Sequence, residues 1–210
     1  MVWRIPDTLD EYDSYTTARE EFEWELPPEY NLAWDTVAKH EDQDSLALHH
    51  ARRDGTNEAY SFAELDRQSN RLVQGFVDLG IGRGDRVAIH VSQRPENIFT
   101  HLANWKLGAI SLTAPMLLGK DMLQYRLTDS NATAIVVDEE RYEVVAEIRD
   151  ECPDLEHVLV VGSSTSYETT GVHRYETVVS DQPTNWTVDA DIGPDTPAFL
   201  MYTSGTTGQP

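Results

Sequence analysis

Residues 198–210 read AFLMYTSGTTGQP, and this stretch indicates how the chain is organised. The apolar and aromatic residues at its start, with β-favouring Phe199 and Tyr202, predict a short buried strand. Hydroxyl side chains interleaved with glycines follow the strand, a composition typical of a loop that binds an anion. Glycine lets the backbone approach a phosphate closely, and Ser and Thr hydroxyls donate hydrogen bonds to its oxygens.

The sequence therefore predicts a polyphosphate-binding loop. Its expected contact residues are Thr203, Ser204, Gly205, Thr206, Thr207 and Gly208. This is not a Walker loop, because the spacing G-x-x-x-x-G-K-[ST] is absent and no lysine follows Gly208. The alternative is a flexible tail rich in Ser, Thr and Gly that binds no ligand.

Upstream of the loop, apolar runs alternate with amphipathic helical patterns. Ser61 and Glu64 predict a capping box at the start of a helix that Gly80 ends, and Pro95 opens the next helix. The residues of that second helix expected to face the core are Ile98, Leu102 and Trp105. Strands are expected at 86–91, 109–113, 134–137 and 157–161, and a hairpin is expected at 45–61. The predicted fold class is α/β, with a mostly parallel sheet flanked by helices.

Composition divides the chain into two parts and limits its partners. Residues 1–29 form an acidic N-terminal extension, and residues 30–210 have the composition of a folded domain. The 37 acidic and 16 basic residues give a net charge of −21, which argues against nucleic acid or an anionic membrane as a partner. So many carboxylates suggest a high-salt cytoplasm, the alternative being an acidic mesophilic protein. The single Cys152 and the lack of a membrane-spanning apolar run favour the cytoplasm.

The stretch YTSGTTGQP, residues 202–210, resembles the nucleotide-binding signature of the adenylate-forming superfamily. That superfamily includes acyl- and aryl-CoA synthetases, luciferases and peptide-synthetase adenylation domains. Other similar segments are 61–65, 79–80, 84–88, 95–96, 106–109, 125–127 and 151–155. Within the superfamily the chain looks closest to the N-terminal portion of acetyl- and medium-chain acyl-CoA synthetases, and residues 31–210 carry the likeness.

The resemblance implies the N-terminal part of the large AMP-binding domain, truncated at the phosphate-binding loop. It also implies a reaction in which a small carboxylic acid and ATP form acyl-AMP and pyrophosphate, and coenzyme A then displaces AMP, with Mg²⁺ sharing the phosphate charge. The family's remaining motifs follow this loop, so no catalytic residue is assigned here and the chain alone is expected to be inactive. Two alternatives stay open: an adenylation domain that loads a carrier protein, and a truncated module without catalytic function.

A few other polar residues are candidates for a site. Arg94 lies at a predicted strand-to-helix junction where a CoA phosphate could dock, although a solvated surface arginine is the alternative. His90 and His101 are expected to be hydrogen-bonded core or surface residues rather than catalytic bases. No histidine spacing suggests a metal site, and Cys152 is expected to be inert.

Overall fold

The structure of the chain, a computed structural model, describes residues 12–22, 26–162, 167–189 and 191–203. Its centre is a six-stranded sheet in which every pair of neighbouring strands is parallel. The strands are β3 (Arg86–His90), β4 (Ile110–Thr113), β5 (Ala134–Asp138), β6 (His157–Val161), β7 (Val172–Arg174) and β8 (Phe199–Leu200). Their order across the sheet is β7-β6-β5-β3-β4-β8. This confirms the predicted α/β class and the parallel sheet.

Helices cover both faces of the sheet because its strands are apolar on both sides. The helices are α1 (Tyr15–Glu21), α2 (Phe62–Asp78), α3 (Pro95–Leu107), α4 (Lys120–Asp129), α5 (Tyr142–Ile148) and α6 (Tyr175–Val179). Successive residues of β5 alternate between two buried clusters: Ile135 and Val137 pack in the cluster that contains α4 and α5 residues, and Ala134 and Val136 pack in the one that contains α2 residues. Each buried aliphatic side chain of this kind contributes about 1.5–3 kcal/mol.

Helix α3 shows one error in the predicted core. Leu102 is buried and Trp105 is partly buried as expected, but Ile98 is 38% exposed. Phe99, the next residue, is 6% exposed and packs with Leu102 in a third buried cluster. The prediction for Ile98 is wrong because helical spacing fixes which residues share a face, and the neighbouring elements decide which face is inward.

A hairpin lies outside the main sheet and precedes α2. Its strands β1 (Leu46–Ala51) and β2 (Asn57–Ser61) pair antiparallel, as the sequence predicts. Ser61 then caps α2: its hydroxyl accepts from the backbone N–H of Glu64, and the Glu64 carboxylate accepts from the backbone N–H of Ser61. Helix α2 is thereby held in register with the end of the hairpin, and both predictions are confirmed.

Shorter elements complete the described chain. A π-helical turn spans Trp34–Ala38, and 3-10 turns at Glu139–Arg141 and Arg149–Glu151 flank α5. Strand β7 was not predicted, because its three residues are too few to show a strand periodicity. Within the described residues, no helix combines the length and apolar character needed to cross a membrane. The division of the chain into an acidic extension, residues 1–29, and a folded domain, residues 30–210, stays a prediction.

Candidate functional site

The strand order creates a crevice between β3 and β5. The chain leaves β3 toward β4 on one side, and it leaves β5 toward β6 on the other, so the connections diverge above two adjacent strands. Such a switch point, at the carboxyl ends of parallel strands, is where open α/β sheets bind ligands. Asp138 ends β5 here, and its Oδ2 accepts from the backbone N–H of Ser92 at 2.8 Å. The switch point is thus occupied by a buried carboxylate.

Arg94 lies at the same point, as the residue before α3. Its guanidinium donates to Glu96 Oε2 at 2.7 Å and to Asp138 Oδ1 at 3.3 Å, and its side chain is 29% exposed. Burial alone would lower the pKa of Arg94, but the hydrogen bonds and charges of the two carboxylates raise the pKa above its ordinary value. Gly162, with φ of +82°, lies above the guanidinium, since an added Cβ would be 3.1 Å from Arg94 Nη1. Arg94 is therefore a paired cation, not a freely solvated one.

A cavity of about 1020 Å³ opens beside Arg94. Its wall is formed by the hairpin on one side and by the segments that follow β3 and β4 on the other, with Pro115 and Met116 at the end of β4. Arg52 Nη2 donates to Glu58 Oε1 at 2.5 Å, which neutralises one of the arginines in this wall. The cavity lies between the hairpin and the carboxyl edge of the sheet. Its lining includes charged and apolar side chains, which suits a ligand with both polar and apolar parts.

His90 is buried under this edge. Its Nδ1 donates to the carbonyl of Ala114 at 2.8 Å, and its Nε2 accepts from Arg141 Nε at 3.1 Å. Burial lowers the pKa of His90, so its ring is neutral and fits this pair of roles. Arg141 also donates to the carbonyl of Leu118 at 2.7 Å. The expectation of a hydrogen-bonded core histidine is confirmed. The hydrogen bonds of the His90 ring link three segments at this edge of the sheet.

His101 differs from His90. It lies on α3, lines the cavity and packs between the rings of Trp105 and Phe199, with centroids at 5.6 and 5.5 Å. Burial lowers the pKa of His101 to about 4, so the ring is neutral at pH 7. Its buried Nδ1 has no hydrogen-bond partner among the described residues. Among the described residues, the hydrogen bond expected for His101 is therefore absent at Nδ1. The ring forms a neutral polar part of the cavity wall.

The last strand leads to the predicted phosphate loop. Strand β8 runs parallel to β4, with Ser111 opposite Phe199 and Leu112 opposite Leu200, so the chain leaves the sheet at its carboxyl edge. Tyr202 follows, and its hydroxyl donates to Asp129 at 2.6 Å. Thr203 is exposed just beyond it. Residues 204–208 of the loop lie outside the described residues, so phosphate binding by Thr203 to Gly208 stays a prediction.

Sequence patterns alone singled out Arg94 but missed Asp138 and Arg141. The signal for Asp138 was its place directly after an apolar strand, where a carboxylate reaches the ligand edge. Cys152 is buried, and burial raises the pKa of its thiol, in line with an inert role. Across the described ranges, no three His, Cys, Asp or Glu side chains are grouped so that they could hold a metal ion.

The sequence comparisons identify relatives of the chain. A family model described as AMP-binding enzyme matches residues 34–210. A crotonobetaine/carnitine–CoA ligase of Salmonella arizonae is 31% identical over 179 residues, which are 84% of this chain and 34% of that protein. An acetyl-coenzyme A synthetase of Streptomyces coelicolor is 27% identical over 214 residues, covering 91% of this chain and 33% of that protein. The chain thus spans about a third of the length of these relatives.

Solved structures agree with the fold. The anthranilate CoA ligase AuaEII, in complex with anthranoyl-AMP, matches with a TM-score of 0.77 and 25% identity over 87% of this chain and 34% of that one. A Brucella canis acyl-CoA synthetase matches with a TM-score of 0.79 over 93% of this chain and 37% of that one. Its 22% identity supports the fold alone.

Proposed function

Because the chain belongs to the AMP-binding enzyme family, we propose that the full-length protein is an ATP-dependent acyl-CoA ligase. The observation that carries the proposal is the position of β8. This strand runs parallel to β4, so that Thr203, just after it, leaves the sheet at its carboxyl edge, and the predicted loop follows in the sequence. That is the edge where such sheets bind nucleotides.

In the proposed first step, a carboxylate oxygen of the acid attacks the α-phosphorus of ATP. The bond from that phosphorus to the bridging oxygen breaks, and pyrophosphate leaves. In the second step the sulfur of CoA attacks the acyl carbon, the bond to the AMP oxygen breaks, and the thiol proton is released. Neither step requires the protein to form a covalent bond, so its residues act by positioning groups and stabilising charge.

The residues Thr203 to Gly208 would hold the β- and γ-phosphates. Backbone N–H groups and hydroxyls form a donor set that suits phosphate oxygens and leaves Mg²⁺ to be shared with the phosphates themselves. Arg94 is the proposed contact for a CoA phosphate. Since the Arg94 side chain is still 29% exposed, a phosphate could replace Glu96 as its partner without the cost of uncovering a fully buried cation.

The reaction is tested by supplying the full-length protein with ATP, Mg²⁺ and a series of short- to medium-chain carboxylic acids. We expect acid-dependent release of pyrophosphate, followed by AMP release and thioester formation only when CoA is added. Adenylate that reacts with a carrier-protein phosphopantetheine but not with CoA would instead show a carrier-loading domain. Absence of pyrophosphate release with every acid would contradict the proposal.

The loop is tested separately with glycine and hydroxyl variants of the full-length protein. Gly205→Val and Gly208→Val should abolish adenylation, because a β-branched side chain blocks both the turn and the approach of phosphate. Thr206→Ala should leave a reduced but measurable rate, since one hydrogen bond to a charged group is worth about 1.5–3 kcal/mol and water can partly replace it. Circular dichroism of each variant is the control. Near-normal rates for both valine variants would exclude the loop as the nucleotide site.

We also propose that the protein works in a salt-rich cytoplasm. A net charge of −21 produces self-repulsion that cations screen, so the midpoint of thermal unfolding should rise steadily from low to molar KCl. A midpoint that does not change with KCl would leave only a role of the acidic surface in solubility.

A further inference from the structure

A second cavity lies at the opposite end of α3 from Arg94. Its volume is about 730 Å³, and it lies between residues of the segment 27–38 and residues 186–189 and 192, with α2 and the end of α3 as its floor. Lys106, in this floor, is twelve residues from Arg94, or about 18 Å along the helix. The cavity is therefore separate from the cavity beside Arg94 at the carboxyl edge of the sheet.

The charge of this cavity is negative. Its charged lining residues are Glu29, Asp66, Asp189 and Lys106. Lys106 is neutralised in place, since its Nζ donates to Asp66 Oδ1 at 2.7 Å and also to Ser69 and Asn70. In the described part of the chain, neither Glu29 nor Asp189 forms a salt bridge. Both side chains are exposed, and Asp189 Oδ1 accepts from the backbone N–H of Asp191 at 3.0 Å. Two carboxylates without a cationic partner among the described residues thus line the cavity, in a chain of net charge −21.

The same wall is rich in aromatic side chains. Tyr30, Trp34 and Trp186 all line the cavity, and they come from segments more than 150 residues apart in the chain. The indole Nε1 of Trp186 donates to the carbonyl of Lys106 at 3.3 Å, which fixes this ring at the end of α3. The Tyr30 hydroxyl donates to Asp35 at 3.3 Å, so a further carboxylate lies next to an aromatic ring. Two of these rings are therefore held by hydrogen bonds to the protein.

From this combination we propose that the second cavity binds a small organic cation with alkyl groups on its nitrogen, such as a quaternary ammonium ion. The faces of aromatic rings attract a cation, and tryptophan does so best. Alkyl groups fill the apolar wall, while Glu29 and Asp189 supply the opposite charge. An organic anion would be repelled by these carboxylates, and among the described residues no three His, Cys, Asp or Glu side chains are grouped so that they could hold a metal ion.

The test compares choline with 3,3-dimethylbutan-1-ol, in which carbon replaces the charged nitrogen at equal shape. Each is titrated into the 210-residue chain at constant ionic strength, and the indole N–H resonances of Trp34 and Trp186 are followed by NMR. We expect saturable shifts of both resonances with choline, and binding of the neutral analogue at least about tenfold weaker. Equal binding of the two compounds, or no saturable shift with choline, would overturn the proposal.

Matched variants locate the site. Trp34→Leu and Asp189→Asn should each weaken choline binding by about three- to tenfold. The controls are Phe199→Leu, whose ring is 44% exposed against 42% for Trp34 but lies outside the cavity, and Asp191→Asn, two residues beyond Asp189 and also outside it. Both controls should bind choline as the parent chain does. Unchanged binding in Trp34→Leu and Asp189→Asn, with circular dichroism intact, would contradict the proposed site.

Discussion

Arg94 and Lys106 lie at opposite ends of α3, and each is paired with carboxylate side chains, but they differ in access to water. Arg94 is 29% exposed, and its partners Glu96 and Asp138 raise its pKa. Lys106 is 3% exposed, and burial lowers its pKa although Asp66 is 2.7 Å away. The same kind of pair therefore gives opposite shifts, because desolvation outweighs the carboxylate at one end of the helix and not at the other.

This difference separates two roles. Lys106 donates to groups on α2 that are 36 to 40 residues away, and so ties α2 to α3 inside the domain. Arg94 connects the segment after β3 to β5 at a water-accessible edge. Its exposure would allow a phosphate to replace a carboxylate as its partner. We expect substitutions at Lys106 to affect stability and substitutions at Arg94 to affect ligand binding.

The largest effect is expected for Lys106→Met. Removing the ammonium leaves Asp66, Ser69 and Asn70 without their common donor, and breaking a buried pair in this way should cost about 3 kcal/mol. Urea unfolding measures the loss. The matched control is Lys120→Met, because Lys120 pairs with Glu147 on the exposed surface, where an ion pair contributes little to stability.

The double variant Lys106→Met with Asp66→Leu sharpens this prediction. It removes both charges, so a large part of the lost stability should return, since apolar replacement of a buried pair is often neutral. Equal losses of unfolding free energy for Lys106→Met and Lys120→Met would show that the buried lysine contributes no more to stability than the exposed one.

His101, between the two cations on α3, should give a pH-dependent effect of intermediate size. Its folded pKa of about 4 lies below the ordinary 6.5, so between these values the unfolded chain binds more protons than the folded one. Its contribution to stability is complete above pH 6.5 and is lost as the pH falls toward 4. For a partly exposed ring we expect a loss of about 2 kcal/mol.

The measurement is the free energy of unfolding of the parent chain and of His101→Phe at several values between pH 7 and pH 4. The stability of the parent chain relative to His101→Phe should fall by about 2 kcal/mol as the pH falls from 7 to 4, because histidine titrates and phenylalanine does not. A constant difference over this range would mean that His101 is protonated equally in the folded and unfolded states.

The smallest effect on folding is expected for Arg94→Gln, about 1 kcal/mol, because the pair is partly solvated. If the full-length protein has the proposed ligase activity, the same variant should raise its KM for CoA about tenfold with little change in the ATP-dependent adenylation rate. Lys106→Met should not show this selective change. If Arg94→Gln leaves the KM for CoA unchanged, Arg94 is a structural residue like Lys106, and the proposed CoA contact is excluded.

Much of the fold could be predicted because its signals are local. The capping box of Ser61 and Glu64 needs residues three apart, and the end of α3 needs Gly108, whose φ of +74° disfavours other residues. Strand β7 escaped prediction because three residues carry too little periodicity. Arg94 was found from its junction, while its carboxylate partner Asp138, 44 residues away, was not.

The sequence by itself determined the alternation of strands and helices and the parallel sheet, because these depend on the spacing and chemistry of neighbouring residues. The tertiary structure decided which face of α3 is buried, so that Phe99 replaces Ile98 in the core. It also decided that Lys106 is enclosed and Arg94 is not. Burial depends on which distant segments pack over a residue, and the local pattern of a helix contains no information about those segments.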